Sequence, residues 1–156
     1  MANNFQIRKA RSEDAFAIAH ILLDCVPHIR MEVPDLVVKQ RVIPNFKLCF
    51  LDDSHSIYVA EESGVVIGYI SIHWLPYLFF KGPEGYISEL YVSVNKRGRG
   101  VGTSLLKKAI EDAIARKCIR LSLLNDKNQD SYKRGFYKKN GWEERTDMAN
   151  LVCWIK

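Results

Sequence analysis

The chain has 156 residues, the usual length of one domain, and we predict a single domain over residues 1–156. Hydrophobic residues make up 47% of the sequence and charged residues 26%, which excludes a disordered tail, a collagen-like fibre and a low-complexity scaffold. The net charge of +5 is compatible with nucleic acid, anionic lipid or a phosphorylated cofactor as a partner.

The first part of the chain predicts a strand followed by helices. Apolar and polar residues alternate over residues 5–10, which is typical of a strand. A helix is predicted over residues 12–25, and Pro27 ends it. A second helix is predicted from about residue 34, with an interruption at Pro44.

The remainder alternates strands with helices. Strands are predicted over residues 56–61, 65–74, 86–94, 119–124 and 151–155, and helices over residues 103–117 and 131–140. The turn Ser63-Gly64 joins the first two of these strands into a hairpin. The strand–helix–strand order between residues 86 and 124 favours a parallel crossover, so the sequence predicts one α/β domain.

The cysteines and the apolar segments indicate the cellular compartment of the protein. Four scattered cysteines without a CxxC pair predict reduced thiols: Cys25, Cys49, Cys118 and Cys153. The CxxH pair that begins at Cys25 has no second pair at zinc spacing, so we predict no metal site. Residues 1–4 show no charged and apolar leader pattern, so we expect no secretory signal, and polar or breaking residues interrupt the apolar run over residues 64–80. We therefore expect a cytoplasmic protein without a membrane span.

A glycine-rich turn lies between a predicted strand and a predicted helix, at Lys96-Arg97-Gly98-Arg99-Gly100-Val101-Gly102. Its glycines let the backbone turn tightly and expose N–H groups. The first turn of a helix carries partial positive charge, so the segment predicts a phosphate site, which Arg97 and Arg99 reinforce.

Two familiar phosphate motifs do not match this turn. A P-loop needs a Lys-Ser/Thr pair after its glycines, and a dinucleotide fingerprint would need glycine where Thr103 stands. The remaining pattern, Arg97-x-x-Gly100-x-Gly102, is short and by itself weak.

This segment resembles motif A of the GCN5-related N-acetyltransferases (GNAT), which bind acetyl-CoA. Residues 7–15 resemble the opening strand and first helix of that family, and Leu90-Tyr91-Val92 resembles its central strand. Residues 137–142, Tyr-Lys-Lys-Asn-Gly-Trp, resemble its second motif. The resemblance covers essentially the whole chain and implies an N-acetyltransferase domain of the α/β (α+β) class. The implied sheet is mixed and mostly antiparallel, with a splayed parallel pair in the middle and about four flanking helices.

The resemblance also implies the residues that bind acetyl-CoA. Backbone groups near Leu90 and Val92 would pair with the pantetheine arm, and the N–H groups of residues 97–103 would cradle the pyrophosphate. The implied cofactor contacts are Leu90, Tyr91, Val92, Arg97, Gly98, Arg99, Gly100, Val101, Gly102, Thr103, Asn125, Asp130 and Tyr137. Asp130 stands where members of the family often carry an asparagine, and Asn125 is the candidate substitute.

Two residues are candidates for proton transfer. Tyr137 lies where the family often places the general acid for the departing thiolate; the alternative is a tyrosine packed over its helix. Glu89 is the candidate base, because burial in an apolar strand would raise its pKa; the alternative is a structural carboxylate paired with arginine or tyrosine. Strand alternation predicts that Ile87, Glu89 and Tyr91 share one face, and that Leu90 and Val92 pack on the following helix.

The resemblance implies direct attack of an amine on acetyl-CoA in a ternary complex. A small-molecule or peptide amine is the expected acceptor, without nucleic acid, membrane or metal, and the final strand could pair across a homodimer. A catalytically idle acyl-CoA-binding regulatory module and a basic nucleic-acid-binding domain are the alternatives. A group of mostly aromatic residues precedes the predicted strand over residues 86–94. These residues could line the acceptor pocket, belong to the core or form a dimer surface: His73, Trp74, Tyr77, Phe79 and Phe80.

Overall fold

A computed structural model describes residues 4–26, 36 and 38–155, and five strands in these residues form one sheet in the order β1-β2-β3-β4-β5. Neighbouring strands are antiparallel except β4 and β5, which are parallel. The strands are β1 (Gln6–Lys9), β2 (His55–Glu62), β3 (Val65–Leu75), β4 (Glu84–Val92) and β5 (Arg120–Leu123). The predicted fold class, a mixed and mostly antiparallel sheet with flanking helices, is confirmed.

The helices differ from the sequence prediction mainly where proline and glycine stand. They are α1 (Ala15–Cys25), α2 (Ile43–Leu48), α3 (Val101–Ala115), α4 (Asp130–Lys133) and α5 (Phe136–Lys139), with a π-helical turn at Val38–Val42 and 3₁₀ turns at Ser12–Asp14 and Val94–Lys96. Pro44 lies in the first turn of α2, where its missing N–H costs no helical hydrogen bond. The single helix expected over residues 131–140 is two short turns, because Gly135 between them has a φ of +64°. The start of the second predicted helix and Pro27 lie outside the described residues.

Apolar residues are buried on both faces of the sheet. Side chains of α1 and α2 cluster with Val59 and Tyr69 on one face. On the other face, the hydroxyl of Tyr58 donates a hydrogen bond of 2.7 Å to Asp112 of α3. Because Tyr58 and Val59 are adjacent in a strand, their side chains point to opposite faces, and the sheet lies between the two helical layers.

A β-bulge at Ser88 changes the facing of β4. Ser71 of β3 pairs with Glu89, whereas the next residue, Ile72, pairs with Ile87. One extra residue therefore stands on β4, and Ile87 and Glu89 point to opposite faces. The prediction that these two side chains share a face is wrong, because it assumed uninterrupted alternation.

The parallel pair separates beyond the bulge. The ladder between β4 and β5 covers Glu84–Ile87 and Arg120–Leu123, and β4 then continues to Val92 paired only with β3. This is the splayed parallel pair that the resemblance implies, but among the described residues β5 is the edge strand, so the pair lies at the edge of the sheet and not in its middle. The separation leaves the β5-facing edge of β4 outside the ladder, beside the turn that leads into α3.

Contacts divide the chain into two units, residues 1–124 and residues 125–156, and each is described by itself. In the second unit, Tyr132 donates a hydrogen bond of 2.8 Å to Glu144, which also forms an ion pair with Lys127 at 2.6 Å. The single domain expected over residues 1–156 stays a prediction.

The strand expected over residues 151–155 does not form. These residues are described without regular secondary structure, and the side chains of Leu151 and Ile155 are 90% and 91% exposed. An alternating apolar pattern stabilises a strand only where a sheet edge pairs with it, and in the described residues none pairs with this segment. The homodimer expected through this strand therefore loses the element on which it was based.

Candidate active site

The glycine turn has the backbone that a phosphate cradle requires. Gly98 and Gly100 have φ values of +75° and +82°, a region that side chains with a Cβ rarely adopt. A Cβ built at either position would meet nothing within 4 Å. The first hydrogen bond of α3 runs from the N–H of Ser104 to Gly100 O, so the N–H groups of residues 101–103 precede the helical ladder.

The basic side chains of this turn all contact protein groups. Arg97 donates from Nε to Val92 O at 3.1 Å and from Nη2 to the sulfur of Cys25 at 3.3 Å. Lys96 and Arg99 both form ion pairs with Glu62, the last residue of β2, and the Lys96 contact is 2.6 Å long. Hydrogen bonds from Arg99 and Lys96 lower the pKa of Glu62 to about 2. Sequence reasoning missed Glu62, because a carboxylate at the end of a hairpin strand carries no motif.

Glu89 lies on the α1 face of β4, next to the bulge. Its Oε2 accepts a hydrogen bond of 3.1 Å from the hydroxyl of Tyr69, whose side chain is 1% exposed. Burial raises the pKa of Glu89 above its usual value, and the bond from Tyr69 opposes that shift only in part. Burial also raises the pKa of Tyr69, so its hydroxyl keeps the proton that it donates. Sequence reasoning named tyrosine as one structural partner of Glu89 but did not identify Tyr69.

At the carboxyl end of β4, successive side chains lie on opposite faces of the sheet. The ring of Tyr91 lies 6.0 Å from that of Tyr69 on the α1 face. Val92 lies on the α3 face, because a Cβ built at Gly68 would approach both Val92 and Val101 to 3.2 Å. Packing of Val92 towards α3 agrees with the sequence prediction. The site residues on β4 and on the glycine turn thus belong to one continuous strand–turn–helix segment.

Three predicted residues lie in the second unit. Asn125 accepts a hydrogen bond of 2.9 Å from Ser131, and Asp130 is the first residue of α4. Tyr137 of α5 is partly buried, with its ring 5.0 Å from Phe136 and 6.0 Å from Trp142. Their roles stay predictions.

The aromatic group before β4 divides into core and surface. Trp74 is buried and donates a hydrogen bond of 3.0 Å to Ser56, which makes it a core residue. Phe79 is 90% exposed. His73 lies between them in burial, with its ring 4.4 Å from that of His55 and its Nε2 3.0 Å from Ser88 Oγ.

Among the described residues, no group of three or more histidine, cysteine, aspartate or glutamate side chains is arranged to hold a metal ion. No helix in the described part of the chain is long and apolar enough to cross a membrane.

Sequence relatives of the chain are N-acetyltransferases by name. Thialysine N-epsilon-acetyltransferase from Bos taurus is 35% identical over 113 residues, which cover 70% of this chain and 63% of the bovine protein. An uncharacterized N-acetyltransferase from Methanocaldococcus jannaschii is 32% identical over 114 residues, which cover 71% of this chain and 49% of that protein. The chain thus spans between about half and two thirds of the length of the relatives that it matches.

Solved structures share the fold over nearly the whole chain. A transcriptional regulator from Bacillus halodurans C-125 has a TM-score of 0.84 and 25% identity, and the match covers 97% of this chain and 99% of that chain. A predicted acetyltransferase from Clostridium acetobutylicum, solved with acetyl-CoA, has a TM-score of 0.74 at 22% identity, covering 95% and 96% of the two chains. At 22% identity, the likeness to the Clostridium acetobutylicum protein shows the fold alone.

A family model agrees with the motifs and with the strand–turn–helix geometry. The description of that model is the acetyltransferase (GNAT) family, and it matches residues 16–142, which include β4, the glycine turn, α3 and the Tyr137 motif. The chain therefore belongs to the acetyltransferase (GNAT) family.

Proposed function

We propose that the chain is an N-acetyltransferase that transfers an acetyl group from acetyl-CoA to a primary amine by direct attack in a ternary complex. The observation that carries this proposal is the segment from the β4 bulge through the glycine turn to α3. In it, a splayed strand end, two left-handed glycines and a helix N-terminus follow one another. The proposed site of action is the cytoplasm, where the four free cysteines would stay reduced.

The residues of this segment fit a CoA thioester. The N–H groups of residues 101–103 belong to the first turn of α3 and have no partner within the helix, and the open space at Gly98 and Gly100 lets a pyrophosphate approach the backbone. The backbone of Leu90 and Val92, beyond the ladder with β5, can pair with the amides of a pantetheine arm as an added strand would. When bound, acetyl-CoA supplies the thioester carbonyl that the amine attacks.

Glu89 is the proposed proton acceptor. A lysine-like amine has a pKa of about 10.4 and arrives protonated, so its lone pair must be freed before it attacks. The raised pKa of Glu89 suits it to take that proton, directly or through water. Tyr69 holds the carboxylate through the 3.1 Å hydrogen bond and fixes one oxygen in place.

Tyr137 is the proposed proton donor. As the C–N bond forms and the C–S bond breaks, the sulfur leaves as a thiolate and takes up a proton, which the Tyr137 hydroxyl can supply. The tetrahedral oxyanion exists after the C–N bond has formed and before the C–S bond breaks, and backbone N–H groups stabilise it. Tyr137→Phe is then expected to lower kcat and to leave the Kd for acetyl-CoA nearly unchanged.

The acceptor is proposed to be a primary amine on a small molecule or peptide. The bovine relative is named for acetylation of thialysine at its side-chain amine. Thialysine and lysine are therefore the first compounds to test, followed by polyamines and peptides.

Calorimetry with acetyl-CoA and CoA tests the proposal. We expect micromolar binding by the natural chain, and at least a tenfold weaker Kd in Gly100→Glu, whose carboxylate would stand where the phosphate binds. Gly100→Ala has the same backbone strain without the charge, and Lys107→Glu adds negative charge on the exposed face of α3. Both controls should bind more tightly than Gly100→Glu.

Binding by the natural chain is then followed by an amine screen that detects released thiol. Binding without turnover of any amine would favour the idle acyl-CoA-binding module. Absence of binding at millimolar acetyl-CoA would contradict the proposed function.

A further inference from the structure

Glu62 joins the β2–β3 hairpin to the glycine turn. Its carboxylate accepts hydrogen bonds from Lys96 Nζ at 2.6 Å and from both terminal nitrogens of Arg99, one of them at 3.2 Å. The side chain of Glu62 is only 12% exposed, whereas those of Lys96 and Arg99 are 31% and 40% exposed. A largely buried acid thus engages two cations of the turn, of which Lys96 precedes the left-handed glycines and Arg99 lies between them.

This arrangement changes the charge that the turn can offer to a ligand. Lys96, Arg97 and Arg99 carry three positive charges, but Arg97 is bonded to Val92 O and Cys25, and the other two share one carboxylate. A phosphate group needs the same N–H donors that Glu62 already occupies. An incoming phosphate therefore competes with Glu62 for Arg99 and Lys96.

The backbone donors of the turn do not share this competition. The N–H groups of residues 101–103 lie before the first hydrogen bond of α3, and the space above Gly98 and Gly100 is open. Backbone N–H groups at a helix N-terminus bind phosphate by position as well as by charge. A ligand that also contacts β4, as the pantetheine arm of CoA would, is positioned on these backbone donors and binds them more tightly than a free polyphosphate does.

We propose that Glu62 is a specificity-determining residue that acts as an internal anion, competing with phosphate for Arg99 and Lys96. The backbone cradle then retains the cofactor, and free polyphosphates are bound weakly. This inference rests on the proposed function, because it assumes that CoA binds at the glycine turn.

Glu62→Gln tests the inference, since glutamine keeps the size of the side chain and removes its charge. We expect the Kd for CoA to fall by about 3–5-fold at low salt, the range of an exposed ion pair. We expect the Kd for inorganic pyrophosphate to fall by a larger factor than the Kd for CoA, and both affinities to depend more steeply on salt because two cations are released. A purely structural role would not make the salt dependence steeper.

Glu61→Gln is the matched control. Glu61 is the neighbouring residue on β2 and also forms an ion pair, but with Arg8 at 2.7 Å rather than with the turn. The same loss of one negative charge there should leave the Kd for CoA within about twofold of the natural value.

A second variant keeps the test valid if Glu62→Gln folds poorly. Because Glu62 already engages Arg99, Arg99→Gln in the natural background should weaken CoA binding by about two- to threefold, well short of the tenfold loss expected where an arginine binds phosphate without a competing carboxylate. In the Glu62→Gln background it should remove most of the gain. A weaker Kd in Glu62→Gln, or a loss of about tenfold in Arg99→Gln alone, would show that Glu62 positions Arg99 for the ligand and would overturn the inference.

The two proposals fail in different ways. If the natural chain binds no CoA, the proposed function fails and this inference fails with it. If the natural chain binds CoA and Glu62→Gln binds it equally well or less well, only the role of Glu62 is contradicted.

Discussion

At the scale of single residues, the raised pKa that suits Glu89 to its proposed role as base also has a cost in stability. Its carboxylate is partly buried on the α1 face and accepts one hydrogen bond from Tyr69. Burial raises its pKa, so the folded protein binds a proton at Glu89 more tightly than the unfolded chain does. Stability associated with this group is therefore fully present below the usual pKa of 4.5 and is lost as the pH rises through the raised value.

We expect Glu89→Gln to lower kcat by about 10²–10³-fold, because proton transfer by a positioned base contributes about 10²–10⁴-fold. If Glu89 is the base, the rate of the natural chain should fall as the pH drops through the raised pKa of Glu89, since the protonated carboxyl cannot accept a proton. The pH profile of kcat/KM should lose this acidic limb in Glu89→Gln. Glu111→Gln on the exposed side of α3 is the control, and an unchanged rate in Glu89→Gln would exclude Glu89 as the base.

The same variant should be more stable than the natural chain at neutral pH. Glutamine removes the buried charge and can still accept the bond from Tyr69, so we expect Tm at pH 8 to rise by about 2–4 °C. The difference in Tm between Glu89→Gln and the natural chain should shrink at pH 4, where Glu89 is protonated in both the folded and the unfolded state. A Tm that falls at pH 8 would show that the ionised carboxylate stabilises the fold.

At the scale of elements, the packing of β3 against β4 and α3 sets the position of the glycine turn. Gly68 of β3 lies so close to its neighbours that a Cβ would stand 3.0 Å from Tyr91 O and 3.2 Å from both Val92 and Val101. These neighbours belong to the strand before the turn and to the first residue of the helix after it. The small size of Gly68 therefore allows β4 and α3 to approach β3 together.

We expect Gly68→Ala to destabilise the protein by about 1–3 kcal/mol, the usual cost of forcing extra volume into a packed core. Urea unfolding measures this change. Val65→Ala, at a 62% exposed position of the same strand, should cost less than about 0.5 kcal/mol. Equal stability of Gly68→Ala and the natural chain would show that β4 and α3 can move apart without cost.

At the scale of the first unit, a partly buried ion-pair network joins β1 and β2 to the 3₁₀ turn that precedes α1. Arg8 of β1 donates to both oxygens of Asp14, at 2.7 and 2.9 Å, and to Glu61 of β2 at 2.7 Å. The N–H of Arg11 donates a further bond of 2.7 Å to Asp14. Burial acts to raise the pKa of Asp14, but the bonds from Arg8 and Arg11 outweigh it, and the pKa lies below its usual value of 3.8.

We expect Asp14→Asn to lower the free energy of unfolding by about 3 kcal/mol at pH 7, because it leaves a partly buried arginine without its bidentate partner. Since the folded pKa of Asp14 is lowered, its contribution is present above pH 3.8 and is lost as the pH falls through the folded value. Urea unfolding should therefore show a smaller difference in the free energy of unfolding between Asp14→Asn and the natural chain at pH 3 than at pH 7. Glu13→Gln, an exposed neighbour, is the control, and a constant difference across this range would contradict the assigned role of Asp14.

The sequence by itself determined the family, the order of strands and helices as far as β5, and the glycine turn. Local physics suffices for these features: strand alternation, helical spacing, and the left-handed conformation that Gly98 and Gly100 adopt at low cost. It did not determine the bulge at Ser88, which reversed the facing of Ile87 relative to Glu89, because a bulge arises from pairing with β3.

Only the tertiary structure decided which groups meet across the chain. Glu62 reaches Lys96 and Arg99 because β2 and the glycine turn lie together in the fold, although more than 30 residues separate them in sequence. The apolar segment over residues 151–155 shows the converse: its pattern predicted a strand, but no described strand pairs with it. Patterns along a chain report local preference, whereas ion pairs, strand partners and the pKa of a buried carboxyl depend on distant residues brought together by folding.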